Sequence, residues 1–271
     1  VPNIFKSLFG QPVRQMRKFF FNDSFRKYSM LRWKLRNTPR FSHCQMRLGD
    51  WDIFLPDGLS FLNSYKDIFV DRIYDFKSSN NNPYILDLGS NMGLSVLFFK
   101  TIYPDAKITA LEADPDIYQY LKKNVHGNGF NDVELINKAA WWENTSIMFN
   151  SEGADGGRVA LQEDVNLIRI EALDVSEFIK HRHTDFLKMD IEGSEEGVLR
   201  SCEDYLGNVD FLFVEYHSKA GEKQGLHDII SIMAGSGFRV HVQSVLCSPS
   251  PFISLNTRNG YDMQLNIFGW R

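Results

Sequence analysis

The chain has 271 residues, 43% hydrophobic, 14% aromatic and 24% charged, a composition that supplies a full core and excludes a disordered chain. Cys44, Cys202 and Cys247 are odd in number and far apart, which excludes a disulfide scaffold and a zinc finger and fits a reducing compartment. No apolar run reaches the length of a membrane span and the N-terminus lacks a signal-peptide core, so the expected location is cytoplasmic, peripheral to a membrane at most. Asn22-Asp-Ser24 and Asn144-Thr-Ser146 are then idle as glycosylation sites.

The net charge of −4 is unevenly placed, because residues 1–47 hold eleven Lys/Arg and one acid, Asp23. There, bases alternate with Phe19, Phe20, Phe21, Phe25, Tyr28, Leu31, Trp33 and Leu35, a pattern that predicts one or two amphipathic helices. Two uses fit: contact with an anionic membrane or a protein partner, or a helical layer over the main domain or a second copy in a homo-oligomer. Residues 48–82 lead into the core. Within 47–65 a hairpin is predicted, turning at Pro56-Asp57-Gly58, and a helix over 65–77. From residue 83 to 271 strand-length apolar runs alternate with helical patterns. Strands are predicted near 84–89, 107–112, 133–137, 185–190 and 209–216, with helices near 93–102, 115–126, 194–206 and 224–236. Two more apolar alternations, 238–245 and 263–268, are expected to pair antiparallel. The fold class is therefore α/β: a Rossmann-like, doubly wound, mostly parallel seven-stranded sheet with an antiparallel strand near one edge, plus an N-terminal helical extension.

Such a sheet binds its ligand at the carboxyl ends of its strands. After the first strand comes Asp87-Leu-Gly89-Ser90-Asn91-Met92-Gly93, in which Gly89 permits a tight turn and Gly93 lets a helix start close by. The glycine spacing is not that of a dinucleotide loop, and the negative Asp87 would repel a pyrophosphate but welcome an ammonium group. The second strand ends at Glu112, placed to accept hydrogen bonds from both hydroxyls of a ribose. A nucleoside carrying an amino acid matches both acids, and S-adenosylmethionine is that molecule.

With these motifs in place, the chain resembles a class I S-adenosylmethionine-dependent methyltransferase of the FkbM family. The resemblance rests on Ile68-Phe-Val-Asp-Arg-Ile-Tyr-Asp-Phe76, Asp87 to Gly93, Glu112-Ala-Asp-Pro115, Asn137-Lys-Ala-Ala-Trp141 and above all Lys188-Met-Asp-Ile-Glu-Gly-Ser-Glu195. It covers roughly residues 50–245. It implies methyl transfer to an oxygen nucleophile, most often a hydroxyl of a sugar, glycolipid or polyketide-type product. It also implies that Asp87, Gly89, Ser90, Asn91 and Gly93 hold the methionine end, Glu112 and Ala113 the ribose, and Ala139, Ala140 and Trp141 the adenine. Asp190 reaches the cofactor as well. Trp141 and Trp142 follow the third strand, where an aromatic could stack on a purine or at least one of the two belongs to the core. Asp174 resembles the family's acid before a short helix or is a plain N-cap.

The fourth strand ends in Lys188, Asp190 and Glu192, and the fifth in Glu215 and His217, so their ionisable groups converge at one pair of strand ends. Two mechanisms fit. Either His217 or a carboxylate removes the acceptor's proton, or Asp190, Glu215 and His217 bind a divalent cation that lowers the acceptor's pKa. The expectation is that Asp190 and His217 face the transferred methyl while Glu215 supports His217 or a metal. Residues 151–158, Ser-Glu-Gly-Ala-Asp-Gly-Gly-Arg, form a lid or a hairpin turn, and the loop 247–262 lies on the acceptor side.

The expected activity is O-methylation of a sugar, glycan or glycolipid, with a small natural product as the alternative acceptor. A dehydrogenase would want the dinucleotide glycine spacing. Nucleic acid is not an expected partner, since the fourth strand carries neither Asn/Asp-Pro-Pro-Tyr nor Pro-Cys. A non-catalytic binding module would have no chemical reason to keep Asp87, Gly89, Gly93 and Glu112 together.

Overall fold

The structure is a computed structural model and describes residues 23–151, 158–159 and 167–271. Helix α1 (Asp23–Leu35) is followed by the hairpin β1 (Cys44–Leu48) and β2 (Trp51–Leu55), then α2 (Gly58–Tyr65), which runs on as a wider π turn through Lys66–Val70. The core alternates β3 (Tyr84–Leu88), α3 (Leu94–Ile102), β4 (Lys107–Leu111), α4 (Pro115–Val125) and β5 (Glu134–Ile136). Next come β6 (Ala139–Trp141), β7 (Thr145–Asn150), β8 (Arg158–Val159), β9 (Leu167–Asp174) and α5 (Ser176–Ile179). The chain then forms β10 (Thr184–Met189), α6 (Glu195–Cys202), β11 (Val209–Lys219), α7 (Leu226–Gly235), β12 (Arg239–Leu246) and β13 (Tyr261–Trp270).

The main sheet has seven strands in the order β12-β13-β11-β10-β3-β4-β5. All neighbours pair in parallel except β13, which runs antiparallel to both β11 and β12. The central strands are buried on both faces, so β3 reads as the unbroken run Tyr-Ile-Leu-Asp-Leu with all five residues buried. One face carries Phe61, Phe98, Phe99 and Phe213 under α1 to α4, and the other carries Leu187, Val198, Leu199 and Ile229 under α5 to α7. The chain leaves β3 towards β4 and β5, then returns to β10 on the other side. The crevice at that reversal, over the carboxyl ends of β3 and β10, is where ligands bind in such sheets.

The expected strands and helices of the core are found, but three local readings are corrected. The hairpin turns at Gly49-Asp50, with Leu48 opposite Trp51 and Gly49 at φ +60°. Pro56-Asp57-Gly58 instead starts a helix, because the buried Asp57 carboxylate accepts the Ser60 amide at 2.8 Å as an N-cap. The helix expected over 65–77 therefore begins earlier and is spent by Val70. Between β5 and β10 a second, four-stranded sheet stands in the order β6-β9-β7-β8. β7 and β8 pair antiparallel, so Ser151–Arg158 joins two paired strands, although residues 152–157 themselves lie outside the described ones.

Of the N-terminal extension, residues 1–22 lie outside the described residues. From 23 onward, Leu31 is buried in the core cluster that includes Phe61 and Leu62, with Tyr28 and Leu35 against it. No helix among the described residues is long and apolar enough to cross a membrane.

Candidate active site

Gly89 lies where β3 and β10 touch. At φ +77° a Cβ there would fall 1.8 Å from the Asp190 carbonyl oxygen, so only glycine allows the two strand ends to close on one another. Gly93 answers a different need: at φ +91° its Cβ would meet Leu121 Cδ1 at 2.9 Å, and its absence seats α3 against α4.

On one side of this junction is a cleft of about 650 Å³ lined by Gly89, Asn91, Leu111, Glu112, Ala113, Asp114, Ala139, Ala140, Trp141, Phe149, Asp190 and Glu192, among others. On the other is a larger cavity of about 1370 Å³, walled by Asn63, Ser64, Lys66, Asp67, Tyr74, Ser90, Lys188, Asp190, Glu192, Glu215, Asn259, Tyr261 and Gln264, among others. Gly89, Asn91, Asp190 and Glu192 belong to both. The spaces therefore meet at the ends of β3 and β10.

In the smaller cleft Glu112 accepts the Asn91 amide at 2.8 Å through Oε2 and the Asp114 amide at 2.9 Å through Oε1. Burial pushes its carboxyl up to about 7 against the pull of those two amides. Each oxygen keeps a lone pair for a vicinal diol, and the adjoining Ala139, Ala140 and Trp141 give a flat apolar berth to a base. Trp141 stacks on Trp142 at 3.7 Å, and Trp142 in turn covers Gly197 of α6, where a Cβ would come within 2.5 Å of its ring. Trp142 thus covers α6 while staying partly exposed, and the buried Trp141 lines the cleft. These residues fit the ribose and base of a nucleoside.

Three residues expected at the methionine end do not line the smaller cleft. Gly93 lines neither space, and Ser90 faces the larger cavity, its hydroxyl donating to Asp87 O at 2.9 Å. Asp87 is fully buried and also lines neither, because its strand register puts Lys188 directly opposite it. The Lys188 Nζ is 3.2 Å from Asp87 Oδ1 and donates to Gly89 O at 2.8 Å and Leu88 O at 3.2 Å, while Ser95 Oγ hydrogen-bonds to Asp87 Oδ2. Burial opposes the ammonium charge, but Asp87 and Asp190 outweigh it and hold the Lys188 pKa above its ordinary value. Lys188, expected among the catalytic residues or else as a holder of the strand-end backbone, is thus a fixed cation clamping the glycine loop. Lys188→Met leaves Asp87 buried without its counter-charge and is expected to cost about 3–5 kcal/mol in chemical denaturation.

The acids and His217 do converge, though not in the arrangement expected. His217 is buried behind the cavity wall and lines neither space, which corrects its placement facing the methyl. Its Nδ1 lies 2.9 Å from Glu195 Oε1, and its Nε2 sits 3.5 Å from Glu192 Oε2 and 3.8 Å from Glu215 Oε1. Burial disfavours the imidazolium, yet Glu192, Glu195 and Glu215 together raise its pKa well above the ordinary value. Of this cluster, Asp190, Glu192 and Glu215 are the acids that reach the cavity. Burial and the Asp190 charge push Glu215 up to about 8, with His217 pulling the other way, and Glu192 is raised to about 7 by burial, again against His217.

Glu195, to which the motif reading gave no role, ties this cluster together by also accepting the Gly193 amide at 3.0 Å. Its signal was its place as the last acid of the Lys188–Glu195 motif, one residue inside α6. Tyr261, whose hydroxyl donates to Glu192 O at 3.1 Å, fixes the same turn, where Glu192 itself takes φ +55°. Asp190, Glu192 and His217 each offer a metal-ligating atom within 4.8 Å of one another, whereas Glu215, expected in such a set, is outside it. Asp174 accepts the Ser176 amide at 2.9 Å across the turn into α5, whose N-cap position is held by Val175.

The strand order, the antiparallel β13 and the cleft at the strand ends define the class I fold of S-adenosylmethionine-dependent methyltransferases. The family described as "Methyltransferase FkbM domain" matches residues 87–240, and the chain belongs to that family. Among its relatives, Methyltransferase 1 of Beauveria bassiana is 23% identical over 205 residues, covering 66% of this chain and 81% of the relative. The 31-O-demethyl-FK506 methyltransferase FkbM of Streptomyces tacrolimicus is 24% identical over 215 residues, covering 65% and 81%. In fold, the chain is similar to the SAM-dependent methyltransferase of Agrobacterium tumefaciens, with a TM-score of 0.50 at 11% identity over 87% of this chain and 72% of that one.

Proposed function

We propose that this methyltransferase acts on a hydroxyl of a sugar, glycan or glycolipid, with the donor in the Glu112 cleft and the acceptor in the larger cavity. The observation that carries the reading is the meeting of the two spaces at Gly89, Asn91, Asp190 and Glu192, with Glu215 on the acceptor side only. S-adenosylmethionine supplies an electrophilic methyl group on a sulfonium. Asp190 and Glu192 put negative charge at the junction, which favours a cation there. Glu215 accepts the hydroxyl proton, and its raised pKa suits an alcohol better than an ordinary carboxylate would. His217, held by Glu195, keeps part of the Glu215 and Glu192 population ionised in spite of their burial.

A polyhydroxylated acceptor is supported by Asn63, Ser64, Asp67, Asn259 and Gln264, which offer donors and acceptors around the cavity, with the Tyr74 ring beside them. A small natural product is the second reading, favoured by the relative named for 31-O-demethyl-FK506. A divalent cation is a weaker third element, since it would have to displace the proton that three carboxylates hold on His217. Incubation with S-adenosylmethionine and panels of sugars, nucleotide sugars, lipid-linked glycans and macrolides, followed by mass spectrometry, tests the assignment. A methyl ether on a glycan is expected, with activity unaffected by chelator; methyl on nitrogen or carbon would contradict it.

A further inference from the structure

The loop between β12 and β13, residues 247–260, forms one bank of the larger cavity through Arg258 and Asn259. Its tip puts three large apolar side chains into solvent: Phe252 is 104% exposed, Ile253 88% and Leu255 59%. Hydrogen bonds hold that tip in shape. The Ile253 and Ser254 amides donate to Ser250 O at 2.9 and 3.0 Å, and the Asn256 amide donates to Ser248 Oγ at 2.7 Å. Single exposed apolar residues are ordinary, but a protruding aromatic and aliphatic trio on a fixed turn marks a contact surface.

The opposite bank, Asn63, Ser64 and Lys66, belongs to α2 and its π turn. Helix α1 packs on that layer through Leu31 and exposes Met30 and Trp33 beside Arg32, Lys34 and Arg36. The Arg36 guanidinium lies 4.4 Å from the centre of the Trp33 ring. Aromatic and basic side chains in company are what seats a protein among anionic lipid headgroups.

We propose that the Phe252-Ile253-Leu255 tip enters the interfacial layer of an anionic membrane, with the basic residues of α1 contributing headgroup contacts. The cavity between the two banks then receives an acceptor anchored in that membrane. For the acceptor this rests on the glycan reading above, which it narrows to the hydroxylated headgroup of a lipid-anchored glycan. A membrane suits a narrow protruding apolar tip in a protein that also exposes the bases of α1, whereas a protein partner would call for a broader face.

The test is co-sedimentation of the full chain with vesicles of phosphatidylcholine alone and of phosphatidylcholine with phosphatidylglycerol at three to one. Binding to the mixed vesicles is expected, weakening as salt is raised. The triple variant Phe252→Ser, Ile253→Ser, Leu255→Ser should lower that binding at least about tenfold, with S-adenosylmethionine affinity unchanged. Absence of binding to mixed vesicles, or equal binding by the triple variant, would overturn the proposal. So would self-association without vesicle binding that the triple variant abolishes, which would give the tip to a second copy. The vesicle readout needs no acceptor, so it stands or falls apart from the glycan assignment.

Discussion

Glu215→Gln is expected to lower turnover by roughly 10²–10⁴-fold with little change in S-adenosylmethionine affinity, because the amide keeps the shape of the side chain but cannot accept the acceptor's proton. Glu215 lines the larger cavity and not the Glu112 cleft, so its loss should leave the proposed donor site alone. The sign of the pH dependence follows from its environment. Burial and Asp190 raise the Glu215 carboxyl to about 8, and a base must be deprotonated to act, so activity should rise as pH increases through that region. A bound sulfonium moves this limb towards lower pH. The imidazolium of His217, 3.8 Å from Glu215 Oε1, pulls in the same direction. His217→Gln should therefore shift the limb to higher pH and leave activity largely recoverable there. If His217 were itself the base, its loss would abolish turnover at every pH, and pH–rate profiles of the two variants separate the cases.

The second large effect belongs to Glu112. Its two oxygens tie the first loop to the end of β4 through Asn91 and Asp114, so the carboxylate both shapes the cleft and faces it. Glu112→Ala removes charge-assisted hydrogen bonds worth roughly 1.5–3 kcal/mol, and affinity for S-adenosylmethionine or S-adenosylhomocysteine should fall about 10- to 100-fold by calorimetry. Because burial raises the Glu112 carboxyl to about 7, a pH below that value should weaken cofactor binding in the unaltered protein, and the Ala variant should lack this dependence. Unchanged affinity in the variant would remove the nucleoside from this cleft.

The sheet was legible in the sequence because its central strands are buried on both faces and stand out as apolar runs between helical patterns. Gly89 and Glu112 were legible for the same reason, lying where such strands end. Asp87, Lys188 and His217 were not. The sequence shows that ionisable groups converge, but which of them reaches the cavity depends on cross-strand register and on what packs over them. Lys188 stands opposite Asp87, and the pair satisfies itself within the protein. His217 is covered by the Glu192 turn and by Tyr261, whose ring centre is 5.0 Å away, and Tyr261 arrives from a strand more than forty positions later in the chain. The small sheet escaped because the buried β6 has only three residues, while β7 and β9 bury only Phe149, Asn150 and Ala172 and so give no apolar run. Pro56-Asp57-Gly58 carries turn chemistry that serves equally to start a helix, and the Ser60 amide decides between the two uses.

The central claim is that donor and acceptor occupy separate spaces that meet at Gly89, Asn91, Asp190 and Glu192. A crystal structure with S-adenosylhomocysteine bound tests it most directly. The expected pose has the ribose hydroxyls on Glu112, the base beside Ala140 and Trp141, and the sulfur at the junction by Asp190, with Glu215 across it in the open cavity. A nucleoside lying instead among Asn63, Lys66 and Gln264, with Glu112 out of hydrogen-bond reach, would contradict it.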